Sequence, residues 1–139
     1  MNAIDTNVLI YSIDRHDPVK RAKARALLRG LQPDPLKTIL PWQVLGELVR
    51  FLRAWQDRGQ ITRPALLCYV HLFRNLFPLG MPMPAVLDRA LDLSGRFSLS
   101  HWDSMLIGAC IEAGVDTLYT EDMGAPVAFD RLQLINPFV

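Results

Sequence analysis

Ala3-Ile4-Asp5-Thr6-Asn7-Val8-Leu9-Ile10-Tyr11 decides the architecture. Two apolar residues lead into an acid, and an apolar helical stretch follows. The pattern predicts a buried strand over residues 2–5 that ends at Asp5, then a short helix from Asn7 to Ile13. In open α/β sheets the carboxyl ends of strands are where ligands and reacting groups collect. A buried carboxylate is costly alone, so it pairs, binds a cation or takes up a proton. The same run also reads as a helix N-cap, since Asp, Thr and Asn all cap well.

Outward from this stretch, strands and helices alternate. Pro18 to Leu31 is a helix with Asp17 as N-cap, Pro18 in its first turn and Gly30 near its end. Thr38-Ile39-Leu40 reads as a strand. Trp42 to Trp55 and Pro64 to Phe77 read as helices, and Gly80 to Pro82 as a minimal strand. Pro84 to Phe97 is amphipathic, and Ser100 to Ala113 is a helix closed by Gly114. Leu118-Tyr119-Thr120 and Leu132 to Ile135 are late strands, and Gln32 to Leu36 is a loop. This alternation predicts an α/β fold with a mostly parallel sheet and helices on its faces. No repeat, low-complexity tract or linker divides the 139 residues, so one domain spanning 1–139 is expected.

Half the residues are apolar and 21% are charged, which is a globular balance. No apolar run approaches the ~20 residues of a membrane span. The start of the chain lacks the basic flank and cleavage site of a signal peptide, so a cytoplasmic protein is expected. Cys68 and Cys110 sit in apolar helical stretches without metal-ligand spacing and read as reduced core residues. The net charge of +1 hides a split. Residues 1–74 carry twelve Lys/Arg against six Asp/Glu, whereas residues 75–139 carry three against eight. The split is a weak pointer to an anionic partner on one side and bound cations on the other.

Three further acids stand out. Glu47 falls roughly 80° from the centre of the stripe Val44, Leu48, Phe51 and Trp55, on the flank of the packed face. It also reads as an exposed partner of Arg50 one turn on. Asp103 has capping-box spacing from Ser100. Its helix is apolar nearly all round, which predicts burial. The cap and ligand readings are compatible only if its carboxylate has an oxygen to spare. Asp122 follows a strand in Tyr119-Thr120-Glu121-Asp122 and reads as a turn aspartate or a second strand-end acid. Thr120 is placed to bond a neighbouring carboxylate.

Taken together, four gathered carboxylates repel one another unless cations neutralise them. Hard oxygen donors suit Mg²⁺ or Mn²⁺ and not zinc. One or two such ions can activate a water and stabilise the leaving oxygen of a phosphodiester. No credible Ser-His-Asp set competes, since His16, His71 and His101 have no spacing of note.

Asp5-Thr6-Asn7-Val8-Leu9-Ile10-Tyr11, the helical Glu47, His101-Trp102-Asp103-Ser104-Met105-Leu106-Ile107, Thr120-Glu121-Asp122 and Ile135-Asn136-Pro137-Phe138 together resemble a PIN domain. The most similar group is the VapC-type toxins of bacterial toxin–antitoxin pairs. The resemblance runs from about residue 2 to residue 138, and the order and spacing of the motifs carry it. It implies an α/β/α sandwich and Mg²⁺- or Mn²⁺-dependent endoribonuclease activity. It implies Asp5, Glu47, Asp103 and Asp122 as the catalytic acids, with Thr6, Asn7 and Thr120 supporting. Asp5, Asp103 and Asp122 would hold the metal, with Glu47 acting through a water. Asp122, not its neighbour Glu121, is the expected acid. The resemblance also implies a homodimer and a small inhibitory antitoxin.

The chain departs from the family pattern after Asp122. Where members often have glycine or basic-polar residues, and a glycine before the last strand, it carries Met123 to Phe129 and then Asp130-Arg131, a loop expected to alter substrate access. Lys20, Arg21, Lys23, Arg25 and Arg29 lie on one helix, and Arg50, Arg53, Arg58 and Arg63 form a second group. Arg21, Arg25 and Arg50 are the expected RNA contacts, against the reading of an ordinary solvated face. The helix Pro64 to Phe77 has more apolar residues than one core face needs, which reads either as a protomer or antitoxin contact or as simple burial. Two rival functions stay open. One is a non-catalytic RNA-binding or scaffold version of the fold. The other is an aspartate-based phosphatase, disfavoured because no acid stands at position 7.

Overall fold

The computed structural model describes residues 1–122 and 128–139. Six strands form one sheet: β1 (Asn2–Ile4), β2 (Thr38–Pro41), β3 (Leu79–Gly80), β4 (Thr117–Tyr119), β5 (Ala128–Phe129) and β6 (Leu132–Ile135). Their order is β3-β2-β1-β4-β6-β5, and every pairing is parallel except β5 with β6. The helices are α1 (Thr6–Tyr11), α2 (Pro18–Leu31), α3 (Trp42–Asp57), α4 (Arg63–Arg74), α5 (Pro84–Arg96) and α6 (His101–Glu112).

Chain direction explains the layers. The chain moves from β1 to β2 to β3 in one direction, then returns past them to β4. Right-handed crossovers therefore put α1–α4 on one face of the sheet and α5–α6 on the other. The strand order reverses between β1 and β4, and that seam is where an α/β sheet opens a crevice.

The expected elements are present, with ends shifted by up to three residues. Helix α2 matches its expected bounds, and its N-cap Asp17 accepts from Lys20 N. Helix α4 begins at Arg63 with Thr62 as cap and stops at Arg74. The loop Gln32–Leu36 runs into a 3-10 turn, Pro35–Lys37. Strand β5 lies outside every expected element: two residues are too few to show alternation. The turn from β5 to β6 holds Asp130 at φ 53. That is left-handed backbone, which Asp tolerates better than most residues and Gly adopts freely. It stands where the family pattern expects glycine. Met123 to Val127, most of the loop expected to alter access, lies outside the described residues.

The core is built as the apolar pattern requires. Ala3, Ile4 and Leu118 from the central strands are fully buried with Val8, Leu9, Leu48 and Ile107. A Cβ on Gly108 would sit 3.2 Å from Val86 O and 3.3 Å from Ala90 N. The missing side chain thus lets α6 press backbone-close to α5. Cys110 is buried as expected, but Cys68 is exposed, because it lies on the side of α4 away from Leu66 and Phe73. Of the apolar residues on α4, the core takes Leu66 and Phe73, while Leu67 and Leu72 stay exposed. A larger exposed apolar set stands elsewhere. Trp42, Phe51 and Trp102 are each more than half exposed and line one groove of about 560 Å³ with Pro82, Val86 and Met105. Among the described residues no helix is long and apolar enough to cross a membrane.

Candidate active site

Strands β1 and β4 run side by side and end together, so residues far apart in sequence meet at the seam. Asp5 N continues the ladder by donating to Tyr119 O at 2.9 Å, while the Asp5 side chain caps α1. Asp5 is therefore both cap and strand-end acid. Its Oδ1 accepts from Thr6 N at 2.7 Å and its Oδ2 from Thr120 Oγ1 at 2.7 Å. Both oxygens are taken, and the residue is 9% exposed.

Thr6 ties the second acid to the first. Its Oγ1 donates to Glu47 Oε2 at 2.8 Å, and Gln43 Nε2 donates to Glu47 Oε1 at 3.0 Å. Glu47 thus points to the sheet seam. Among the described residues it makes no ion pair with Arg50, and the exposed-pair reading falls. Asp122 and Asp103 are held more loosely. Asn7 Nδ2 donates to Asp122 Oδ2 at 3.3 Å. Ser100 Oγ accepts from Asp103 N at 3.1 Å, but among the described residues no hydrogen bond returns from Ser100 N to the Asp103 carboxylate. The box is half formed, and Asp103 has its oxygens to spare.

Asp5, Glu47, Asp103 and Asp122 line one cavity of about 410 Å³ with Thr6, Asn7, Tyr11, Asp14 and Gln43. Burial, aided by the charges of Glu47 and Asp122, outweighs the bonds from Thr120 and Thr6 and pushes the Asp5 carboxyl up to about 6. Uncompensated negative charge is what an added cation would relieve. Asn7 Oδ1 is buried and has no hydrogen-bond partner among the described residues, a further hard acceptor at the same place. Among the described residues, no three His, Cys, Asp or Glu side chains stand close enough to hold a metal ion as they are placed. The all-oxygen donor set suits a hard divalent cation in kind.

The other expected contacts lie off this cavity. Arg25 Nε donates to Ser12 O at 2.8 Å, beside α1. Arg50 lines the apolar groove, which shares Gln43, Glu47 and Phe51 with the acidic cavity. Arg21 is half-buried on α2. Gln43 was not among the expected site residues. It precedes Glu47 by one helical turn, a spacing that puts both on one face. Its second bond, from Nε2 to Trp102 O at 3.0 Å, joins α3 to the start of α6 and no sequence pattern announces it. Lys20 also reaches the site's edge, where it pairs with Glu121. The hydrogen bond to Glu121, then burial, raises the Tyr11 hydroxyl above the ordinary tyrosine range.

Comparison with known proteins places this geometry. No curated protein sequence matches the chain significantly. Among solved structures, VapC20 of Mycobacterium tuberculosis, described as a sarcin–ricin-loop-cleaving toxin, superposes with TM-score 0.67 at 14% identity, covering 88% of this chain and 90% of that one. VapBC2 of Rickettsia felis, bound to a DNA fragment from its promoter, gives 0.71 at 16% identity over 97% of both chains. A toxin–antitoxin complex from Klebsiella pneumoniae gives 0.60 at 16% identity, over 99% of this chain and 98% of that one. At such identities the likeness is one of fold, and it matches the expected α/β class. The PIN domain family model matches residues 3–131, and the chain belongs to the PIN domain family.

Proposed function

We propose that the chain is a Mg²⁺- or Mn²⁺-dependent endoribonuclease, the toxin of a toxin–antitoxin pair. The observation that carries this reading is the meeting of four carboxylates from four elements on one cavity at the β1–β4 seam. Asp5, Asp103 and Asp122 would hold the metal, with Glu47 acting through a water. A divalent cation there supplies Lewis acidity toward the phosphodiester and the attacking water. The chain's own residues do the rest. Thr6 and Thr120 fix the Asp5 carboxylate through its two oxygens, Thr6 and Gln43 fix Glu47, and Asn7 steadies Asp122. Asp103, with a free carboxylate, orients whatever enters the cavity. The toxin and RNA-cleaving descriptions of the structural relatives support the substrate class.

The protein is proposed to be cytoplasmic and to be restrained by a small antitoxin that presents an Arg or Lys to the acidic cavity. A guanidinium fork can satisfy two carboxylates at once and takes the electrostatic place of a metal. It is also proposed to be a homodimer, and α4 with its exposed Leu67 and Leu72 is not the sole candidate face. The groove bearing Trp42, Phe51 and Trp102 exposes more large apolar surface and is the better face for a second copy. The test is cleavage of RNA by purified protein with Mn²⁺, with chelator and with Asp5→Asn. Growth arrest is scored on expression with and without a neighbouring small protein. RNA binding with no cleavage at any metal concentration would leave the scaffold reading standing, and a trapped phosphoenzyme would replace both with the phosphatase.

A further inference from the structure

Glu121 sits next to Asp122, yet only Asp122 lines the acidic cavity. The structure provides a device that separates them. Lys20, on α2, reaches across to Glu121 Oε1 and also donates to the Tyr11 hydroxyl at 3.2 Å. Its ammonium lies 4.6 Å from the centroid of the Tyr11 ring and 5.9 Å from that of Phe138. Those two rings stand edge to face at 5.0 Å. The pair is mostly shielded, with Lys20 and Glu121 side chains 32% and 17% exposed. Three segments therefore close on the ammonium that the first turn of α2 presents: the end of α1, Glu121 two residues after β4, and the C-terminal segment. An ammonium so engaged has little left to offer an RNA phosphate.

The geometry points to Lys20 as a positioning residue that holds Glu121 out of the acidic cavity, so that Asp122 is the acid presented there beside Asn7. This rests on the ribonuclease reading for its functional meaning but not for its structural content. The physical argument is one of competition. Adjacent residues after a strand leave on opposite sides, as alternating side chains do. A small rotation of the backbone after Tyr119 would exchange which carboxylate faces the seam. A partly buried glutamate stripped of its cation has strong reason to rotate toward a metal or toward Asn7. Pairing with Lys20, backed by two aromatic faces that favour a cation, removes that reason. Arg21, Lys23 and Arg25 cannot substitute, because successive helix residues point in different directions. Lys23 Nζ already donates to Phe138 O at 3.1 Å, and Arg25 Nε to Ser12 O.

The test compares wild type, Lys20→Met, Lys20→Arg, Glu121→Gln and the double variant Lys20→Met with Glu121→Gln. Two readouts are taken: the Asn7 side-chain amide resonance in metal-free protein, and kcat with KM for RNA cleavage with Mn²⁺. Lys20→Met should move the Asn7 resonance and lower kcat at least about tenfold, as a misplaced group of this kind does, with KM within about twofold. The double variant should return both toward wild type, because the freed carboxylate is gone, and Lys20→Arg should retain both. A rise in KM that the double variant does not repair would overturn the proposal in favour of a phosphate contact by Lys20. Loss of activity that only tracks loss of folded protein, without rescue, would overturn it in favour of plain packing. If the Asn7 resonance moves and recovers while wild type itself cleaves no RNA, the clasp stands and the ribonuclease reading fails. If wild type cleaves RNA and Lys20→Met changes neither readout, the clasp fails and the ribonuclease reading stands.

Discussion

Asp5 and Glu47 differ sharply from Asp103 and Asp122, although all four line one cavity. The inner pair have every carboxylate oxygen occupied by a donor of the fold, and Thr6 serves both, through its backbone to Asp5 and its hydroxyl to Glu47. Of the outer pair, Asp122 has one long bond from Asn7, and the Asp103 carboxylate has none among the described residues. The inner acids are part of how the domain closes. The outer acids are presented by the domain, with lone pairs to give. Preorganised groups lower the reorganisation a reaction needs, and open groups admit the ligand. On the ribonuclease reading proposed above, this site would divide the two tasks between two pairs.

The largest effect should come from the inner pair. Asp5→Asn should cut Mn²⁺-dependent RNA cleavage by about a thousandfold or more, because the acids act as one unit. A gel assay on folded variant protein checks this, and near-normal cleavage would break the division of roles. Combining Asp5→Asn with Asp122→Asn should cost little beyond the single change.

Next is pH. The Asp5 carboxyl, raised to about 6 from an unfolded value of 3.8, binds its proton more tightly in the folded state. Its contribution to stability is therefore fully present below about pH 4 and lost as pH rises through 6. The loss is roughly 3 kcal/mol in the metal-free protein at 1.36 kcal/mol per unit. Denaturant unfolding at pH 4, 5, 6 and 7.5 with chelator should show this slope, and Asp5→Asn should flatten it. An unchanged slope in the variant would assign the pH dependence to other groups. Mn²⁺ affinity should fall as pH is lowered over the same range, because protons compete for the acids.

Thr6→Val sharpens the comparison at lower cost. It keeps the shape of a buried residue and removes the hydroxyl that Glu47 Oε2 accepts. Stability should drop by about 1–3 kcal/mol for a carboxylate oxygen left without its donor. Cleavage should drop about 10–100-fold, as for other groups that orient a ligand. The smallest effect should be on the stability of the outer variants. Asp103→Asn and Asp122→Asn should each leave metal-free unfolding within ~0.5 kcal/mol of wild type while removing most cleavage. A loss of several kcal/mol in either would show that the outer acids also hold the fold together. Separately, Trp102→Glu should turn a dimer into a monomer in sedimentation while leaving the helical signal intact.

Much of this was legible in the sequence, for reasons that differ by residue. Asp5 is readable because two buried residues, a cap and a helix start coincide in seven positions. Strands β1, β2, β4 and β6 are readable because apolar runs punctuated by helix starts leave few alternatives. What escaped is tertiary. The Thr6–Glu47 bond joins residues 41 apart, and Gln43 reaches Trp102 across 59. No local periodicity encodes such meetings. Glu47 read locally as an Arg50 partner because i,i+3 spacing is visible and a sheet seam is not. Cys68 escaped for a similar reason: an apolar helix does not say which side its neighbours will cover. The excess on α4 admits both burial and a contact, and the fold divides it: Leu66 and Phe73 go to the core, Leu67 and Leu72 stay exposed, and a further open apolar groove forms where α3, α5 and α6 converge.

The seam between β1 and β4 has a consequence for the order of events in synthesis. Residues 2–4 are made more than a hundred residues before their parallel neighbour at 117–119. Chains are made vectorially, and pairings of high sequence separation form late. Until β4 docks, Asp5 has no Thr120 to hold it and Asp122 is not brought beside Asn7. The acidic cluster is therefore assembled only after the segment that carries β4 has been made. A partner that engages the first helices while the chain is still being made would meet it before that cluster exists.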